Sequence, residues 1–527
     1  MAVTETTPPE TEAEAQSPAP RQGGPGELER LIGTGDHTTI GRMFIGCALA
    51  LLVAAVLVKV LTGVDTATDN GFLGAYYDML SLSSLVALVF LGVLPLLLGL
   101  AIHTVPLQIG SPSIAFPRAA ALSLWTWLVS SAIFLISMAF DGGVGGGDLD
   151  GSRLGNIALG AVMASLALGA VCVATTVVSH RPAGMGLARV PLFAWSMLVA
   201  SSIWIVTLGS AIAHSIIGHI GPETSGGILE NFSTGIAWLL RGPAVYMLAI
   251  PVLGIAGDVI ATVTRRPLRN YGVFQAMIAV FGVLAFGAWA QSPDSINTPL
   301  WMLWALAIGL PVLGMLGGLA ETLRHGKVRP DAALVGSLLA LVNVLAAVVV
   351  GLLIALDTAG TGTLFDFEPV ELVQAQAIFV VTAAVAGALA GLAHWSTKVW
   401  GSRARSPLAL ASIVLVDLGG GLWATVLAVQ VFVQAGGDDT ADALFGVLIA
   451  LGAVLVLVGL VGAVVSYVGS DADDDVEAED SSDESGLTLE WQTPSPAIGG
   501  VRMADLPEIT SPYPLVDPAM AASEEGN

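Results

Sequence analysis

Along most of the chain the apolar positions do not alternate with polar ones but run on in blocks of about 18–25 residues, the length that crosses a bilayer core as a helix. Twelve such spans are predicted, near 42–62, 80–102, 118–139, 156–179, 190–213, 238–263, 274–291, 299–320, 333–356, 374–396, 407–433 and 443–468. Lipid offers backbone N–H and C=O groups no water to bond. A spanning segment must therefore be a helix, or a strand of a closed barrel with alternating faces. The blocks are continuous, so the fold class expected is an all-α integral membrane protein.

The positive charges fall between the blocks with a period of two loops. Arg118, Arg181, Arg189, Arg265, Arg266, Arg269, Arg324, Lys327, Arg329, Lys398, Arg403 and Arg405 all lie in every second loop. The intervening loops hold only Arg153 and include acidic stretches such as DGGVGGGDLDG and TLFDFEPVE. By the positive-inside rule this places both termini in the cytoplasm and the protein in the plasma membrane as a multi-pass chain. A wrong span count would scramble the pattern.

Composition agrees: 54% of 527 residues are hydrophobic and 12% charged, with a mean hydropathy of +0.80. The net charge of −23 sits mostly in tails and outer loops, and gives no reason to expect nucleic acid. TTPPETEAEAQSPAP near the N-terminus and DADDDVEAEDSSDESG at 471–486 read as solvated, disordered segments. Three regions follow: a disordered tail over 1–39, the membrane domain over 40–469, and an acidic cytoplasmic tail over 470–527. No cleavable signal peptide precedes the first apolar block. Cys47 and Cys172 lie inside spans and read as buried apolar side chains. The sequence carries no P-loop, paired-cysteine zinc spacing or nucleophile elbow, and GGVGGGD reads as an outer loop.

Several phrases, in order, resemble subunit I of the haem-copper oxidases, the family of cytochrome c oxidase. They are VPLQIGSPSIAFPRAAALSLW (105–125), GLARVPLFAWSMLV (186–199), GPAVYMLAIPVLGI (242–255), AFGAWAQ (285–291) and LAGLAHW (389–395), followed by TLEWQTPSP, LPEI and SPYP near the C-terminus. The resemblance implies a bundle of twelve transmembrane helices. It also implies oxygen reduction at a haem–copper centre, fed by a low-spin haem and coupled to proton pumping. In that family histidines hold both metals, and the axial ligand sets what the iron can do.

Carried over residue by residue, the ligand positions have lost their imidazoles. The histidine of the second span falls at Ser84, or at Ser83 in the neighbouring register. The copper histidine of the sixth span falls at Gly242, and the glutamate after its proline at Ala244. The histidine pair of the seventh span falls at Gln291 and Ser292. The two histidines of the tenth fall at Ala375 and Ala377, or at Gln374 and Gln376 one residue earlier. Proton-path positions are occupied by Ser113 and Met315, and the arginine pair after the eleventh span has no counterpart. Tyr246 alone stands at the position of the family's active-site tyrosine. A haem-sized void would leave its lining without packing partners, so either the helices have closed up, or bulkier side chains such as Met315 and nearby tryptophans have swung inward, or something else still binds there.

The remaining ionisable groups inside the spans are the other candidates, since such groups face the bundle interior. Arg241 precedes the lost copper ligand by one residue and either snorkels or replaces the metal's charge. Asp258 reads as a polar contact near the inner end of the sixth span. Asp417 is an internal acid beside glycines that allow close helix approach. Lys59 reads as snorkelling to the outer interface. Of seven histidines, His37, His180 and His325 read as solvated, while His214 and His219 read as capping an interface. His103 and His394 lie near the inner ends of their spans. His103 is nineteen residues past Ser84, about 28 Å of helix, so a haem between His103 and His394 would be a new site.

The expected function is a non-catalytic homologue of oxidase subunit I, a pseudoenzyme of the respiratory chain with a structural or assembly role. Its partners are the lipid bilayer and other respiratory membrane subunits. Neither haem nor copper is expected unless the family chemistry survives. Two alternatives stay open: a divergent terminal oxidase with relocated ligands, and an ion or small-molecule path through the emptied bundle along Arg241, Asp258 and Asp417.

Overall fold

A computed structural model describes residues 32–68, 71–220, 242–289, 298–326, 328, 330–359, 370–435, 442–468, 486–501 and 506–516. The chain divides into two units, 1–34 and 35–527, and the second carries every helix discussed below. Among the described residues the regular structure is helical throughout.

The helices follow the apolar blocks. They are α1 (His37–Thr68), α2 (Tyr77–Ala87), α3 (Leu94–Gln108), α4 (Pro117–Ala139), α5 (Leu149–Ser179), α6 (Leu192–Ile220), α7 (Ile250–Thr264) and α8 (Tyr271–Trp289). After these come α9 (Thr298–Ala307), α10 (Gly309–His325), α11 (Ala332–Ala359), α12 (Val370–His394), α13 (Ser396–Trp400), α14 (Ser406–Ala435) and α15 (Asp442–Val468). Eleven stretches of the described residues are long and apolar enough to cross a membrane. The span expected at 274–291 coincides with a shorter apolar helix, Tyr271–Gly287, and runs on into residues outside the described ones.

Proline explains where the spans depart from plain α-helix. The second span is one stack from Gly74 to Gln108, in which a π turn (Leu88–Val93) joins α2 to α3, with Pro95 in the first turn of α3. Pro95 has no N–H to give the preceding turn, so the hydrogen-bond register shifts there instead of breaking. In the sixth span the expected continuous helix over 238–263 is corrected. Gly242–Leu248 winds as a 3₁₀ helix and α7 starts only at Ile250, with Pro251 in its first turn. The eighth span likewise divides at Ile308, between α9 and α10, three residues before Pro311.

Burial sorts the spans into an inner and an outer set. The most apolar stretch of Gly74–Gln108 is 94% buried, and those of Val245–Thr264 and Glu371–His394 are each 89% buried; the other eight range from 28% to 61%. The outer helices turn Leu57, Ile136, Val283, Leu310, Val349 and Val458 outward, as a lipid-facing surface requires. The second, sixth and tenth spans are thus enclosed by the rest, and they carry most of the positions singled out from the sequence.

Candidate functional site

At the centre of the bundle Tyr246 is 2% exposed. Its hydroxyl donates to the carbonyl of Ala347 on α11 at 2.9 Å and accepts from Gln376 Nε2 on α12 at 2.9 Å. Its ring meets Phe281 of α8 edge to face, with centroids 5.8 Å apart. Gly351 makes this closeness possible: a Cβ there would run into Gln376 Nε2 and stand 2.6 Å from the tyrosine oxygen. A polar tip satisfied in this way is what a buried tyrosine needs. Ala375 and Ala377 flank Gln376 and are themselves buried.

Ser83 and Ser84, on α2, are also buried, and both hydroxyls are spent locally. Ser83 accepts from the backbone of Val144 at 2.9 Å, and Ser84 donates to the carbonyl of Ser81 at 2.8 Å. Gly242 opens the 3₁₀ turn. Arg241, Gln291 and Ser292 lie outside the described residues. Met315, Trp127, Trp204 and Trp395 are each fully buried. Trp204 donates to the carbonyl of Met247, next to Tyr246, at 3.1 Å, and Trp127 donates to that of Phe90 in the π turn at 3.3 Å. The void bordered by Leu88, Ile378, Val381, Gly420, Trp423 and Leu460 measures about 20 Å³, room for about one water.

A second polar cluster joins four separate elements at the end of the bundle where α3 stops. Asp258 of α7 is 4% exposed. It accepts from the backbone N–H of Leu192 at 3.1 Å and of Phe193 at 3.0 Å, the first two of α6, and from Gln108 Nε2 at 2.9 Å. Helix starts leave such N–H groups without internal partners, and a carboxylate there also faces the positive end of the helix dipole. Asp258 therefore caps α6 from a neighbouring helix, which gives the expected polar contact a definite partner. Gln108 Nε2 also reaches Glu490 Oε1 at 3.3 Å, and the same oxygen accepts from Trp395 Nε1 at 3.2 Å and Thr488 Oγ1 at 2.8 Å.

Glu490 belongs to the tail expected over 470–527, and part of that tail packs on the bundle. Leu487, Leu489 and Tyr513 are buried, and Lys398 Nζ holds the carbonyl of Thr493 at 2.6 Å. Arg189 donates to the carbonyl of Ile509 at 2.9 Å. Burial raises the Glu490 carboxyl above its ordinary 4.5. The docked tail then binds the proton more tightly than the undocked one, so docking is strongest below that ordinary value and weakens as pH rises through the raised one. Amide-exchange protection of residues 487–501 and 506–516 is expected to fall on that rise in the wild type and to lose most of this dependence in Glu490→Gln; equal profiles would refute the assignment.

The other candidates scatter. Asp417 on α14 accepts from Asn343 Nδ2 of α11 and shares no partner with Asp258. Lys59 is half-buried and turns inward, contrary to expectation: its ammonium lies 3.3 Å from Ser81 Oγ and 5.5 Å from the centre of the Trp423 ring, where the ring quadrupole attracts it. His37 is corrected as well. Expected in solvent, it opens α1 and is 1% exposed. His103 is fully buried, and neither ring nitrogen has a hydrogen-bond partner among the described residues. It backs onto Gly41 of α1, whereas His394 packs edge to face between Trp395 and Trp491, at 5.1 and 5.2 Å. His394 Nε2 also lacks a partner among them.

Residues 39–416 match the family described as Cytochrome C and Quinol oxidase polypeptide I, and the chain belongs to that family. A protein named Probable cytochrome c oxidase subunit 1-beta from Nocardia farcinica is 26% identical over 333 residues, 56% of this chain and 55% of that one. The Heme-copper oxidase subunit I+III of Aeropyrum pernix is 27% identical over 426 residues, 74% of this chain and 51% of that one. Cytochrome c oxidase subunit 1 of Cereibacter sphaeroides is 32% identical over 257 residues, 44% of each chain. The chain spans about half the length of the curated relatives it matches. Members of this family ordinarily bind haem and copper, and the fold places this chain in a membrane. Among the described residues no three His, Cys, Asp or Glu side chains gather as a metal cluster.

Proposed function

We propose that this protein is a non-catalytic homologue of haem-copper oxidase subunit I, a pseudoenzyme that keeps the bundle as a scaffold or assembly partner for other respiratory membrane subunits. It sits in the plasma membrane with both termini in the cytoplasm, as the alternation of arginine-rich loops indicates. The observation that carries the reading is the chemistry at the ligand positions: Ser84, Gly242, Gln291, Ser292, Ala375 and Ala377 offer no imidazole. These residues do not fit a haem iron or a histidine-bound copper. Ser84 is already bonded to its own helix, and Tyr246 and Gln376 bond each other across the space beside Gly351. Serine hydroxyls, alanine methyls and a glycine do not supply the imidazole nitrogens by which this family holds its metals.

The test is the reduced-minus-oxidised visible spectrum of the detergent-purified protein, with copper and iron analysis on the same sample. No haem band and no stoichiometric copper are expected, together with co-purification of other respiratory subunits. Stoichiometric haem or copper would overturn the reading.

One observation favours a second reading, a divergent oxidase with relocated ligands. His103 and His394 both carry ring nitrogens without a hydrogen-bond partner among the described residues. In that case the spectrum would show a haem band, lost in His103→Ala or His394→Ala. The path reading draws less support, because Asp258 and Asp417 are committed to separate hydrogen-bond networks.

A further inference from the structure

Asp417 places a carboxyl on the outside of the bundle at a depth where lipid offers it nothing. It is half-buried, 11 residues after Ser406, the start of α14, and 18 before the last residue, Ala435. Those lengths are about 17 Å and 27 Å of helix, so the group lies within a hydrocarbon core of about 30 Å. The surface around it faces lipid: Leu418 beside it and Val342 beside its partner Asn343 are each 57% exposed. Asn343 Nδ2 donates to Asp417 Oδ1 and also to the carbonyl of Leu339 at 3.1 Å. Among the described residues no cation pairs with the carboxyl. The second observation is independent of charge. Gly421, one turn along the same helix, has nothing within 4 Å of a would-be Cβ.

An ionisable group inside a membrane is costly and is found paired or facing a polar space. One amide N–H leaves a carboxylate with acceptor capacity to spare. The open space before Gly421 is what a second helix needs to bring its backbone close. An apolar helix there would leave the carboxyl unmatched. A basic side chain is as costly alone in lipid as the acid is, and the two costs fall together when the groups meet. We propose that the α14 face carrying Asp417, Leu418 and Gly421 docks a transmembrane helix of another subunit that presents a lysine or arginine at the same depth. A second copy of this chain does not supply that helix, because Arg42 and Lys59 of its first span are turned to the Ala497 carbonyl and to Ser81. The proposal rests on the scaffold reading for the existence of a partner, and adds which face it takes and by what chemistry.

The tagged full chain is expressed in the membrane of its own host with the photo-crosslinker p-benzoylphenylalanine in place of Leu418. The same probe in place of Leu310 on α10, which is 70% exposed, is the control. After irradiation in the membrane, adducts are read by peptide mass spectrometry. The Leu418 site is expected to join one transmembrane segment of another subunit, with a lysine or arginine within one helical turn of the joined residue, and the Leu310 site is not. Adding Asp417→Asn should cut that yield at least fivefold. Asp417→Lys combined with an aspartate at the partner's basic position should restore it. Should Asp417→Asn lower expression, Gly421→Leu fills the open space, leaves the carboxyl alone and is expected to make the same cut. Adducts to lipid alone, adducts to a segment with no basic residue there, or yields that neither variant changes overturn the proposal. Respiratory subunits that co-purify while Leu418 meets only lipid would sink this docking site and leave the scaffold reading standing. A wild-type chain that co-purifies no respiratory subunit would sink the scaffold reading, whatever Leu418 meets.

Discussion

Asp258→Ala is expected to cost about 3 kcal/mol or more of stability, among the largest effects of any single polar substitution in this protein. The carboxylate accepts from two backbone N–H groups at the start of α6 and from Gln108. All are buried, so no water replaces the lost acceptor, and each stranded donor carries a desolvation penalty of about 1–3 kcal/mol. The penalties are not additive, because Gln108 can shift fully onto Glu490. The loss should appear as a lowered thermal midpoint and as faster amide exchange in the first turn of α6. Asp258→Asn keeps one carbonyl oxygen and should fall between. Asp417→Asn, at a half-buried carboxylate that accepts from Asn343, is the calibrating substitution at about 0.5–1.5 kcal/mol. If Asp258→Ala proves no worse than Asp417→Asn, the cross-helix cap is not what holds α6.

The bundle itself was legible because a bilayer reduces the choice of backbone to one: an apolar block of sufficient length has to be helical. The blocks appear as helices, and the motif phrases led to the family to which residues 39–416 belong. What stayed hidden was partnership across the sequence. Gln108 sits in the phrase VPLQIG and Glu490 in TLEW, and both phrases stood out as motifs. Yet Gln108 is 150 positions from Asp258 and 382 from Glu490, and no local pattern links them. His37 was misjudged for a related reason. Polar neighbours signal a loop, but burial is decided by what packs on top, here the start of α1. The tail shows the same limit: its acidic run masks that the next few residues, Leu487 to Glu490, are buried. The sixth span was expected to be a continuous helix. The signal that would have corrected it was the proline spacing, with Pro243 inside the 3₁₀ turn and Pro251 in the first turn of α7.

One stretch allows the same chemical change to act with opposite signs two residues apart. In the glycine run beside Asp417, a Cβ on Gly419 would stand 2.5 Å from the carbonyl oxygen of Gly452 on α15 and 2.7 Å from the nitrogen of Val456. Gly452 answers in kind, since its own Cβ would stand 2.7 Å from the Gly419 oxygen. The obstacles are backbone atoms, which cannot rotate away, so α14 and α15 must separate to admit even a methyl group. Overpacking of this kind costs about 1–3 kcal/mol, and small residues at such crossings are what let membrane helices approach. Gly421 lies on the same helix with nothing within 4 Å of its would-be Cβ. There, alanine only removes backbone freedom from the unfolded chain, a gain of about 0.5–1 kcal/mol. Gly419→Ala should therefore lower the thermal midpoint and Gly421→Ala should raise it slightly, measured in one detergent on one day. Identical shifts for the two would mean that the helices are free to move apart, and that the contact between Gly419 and Gly452 contributes nothing to holding the last two helices together.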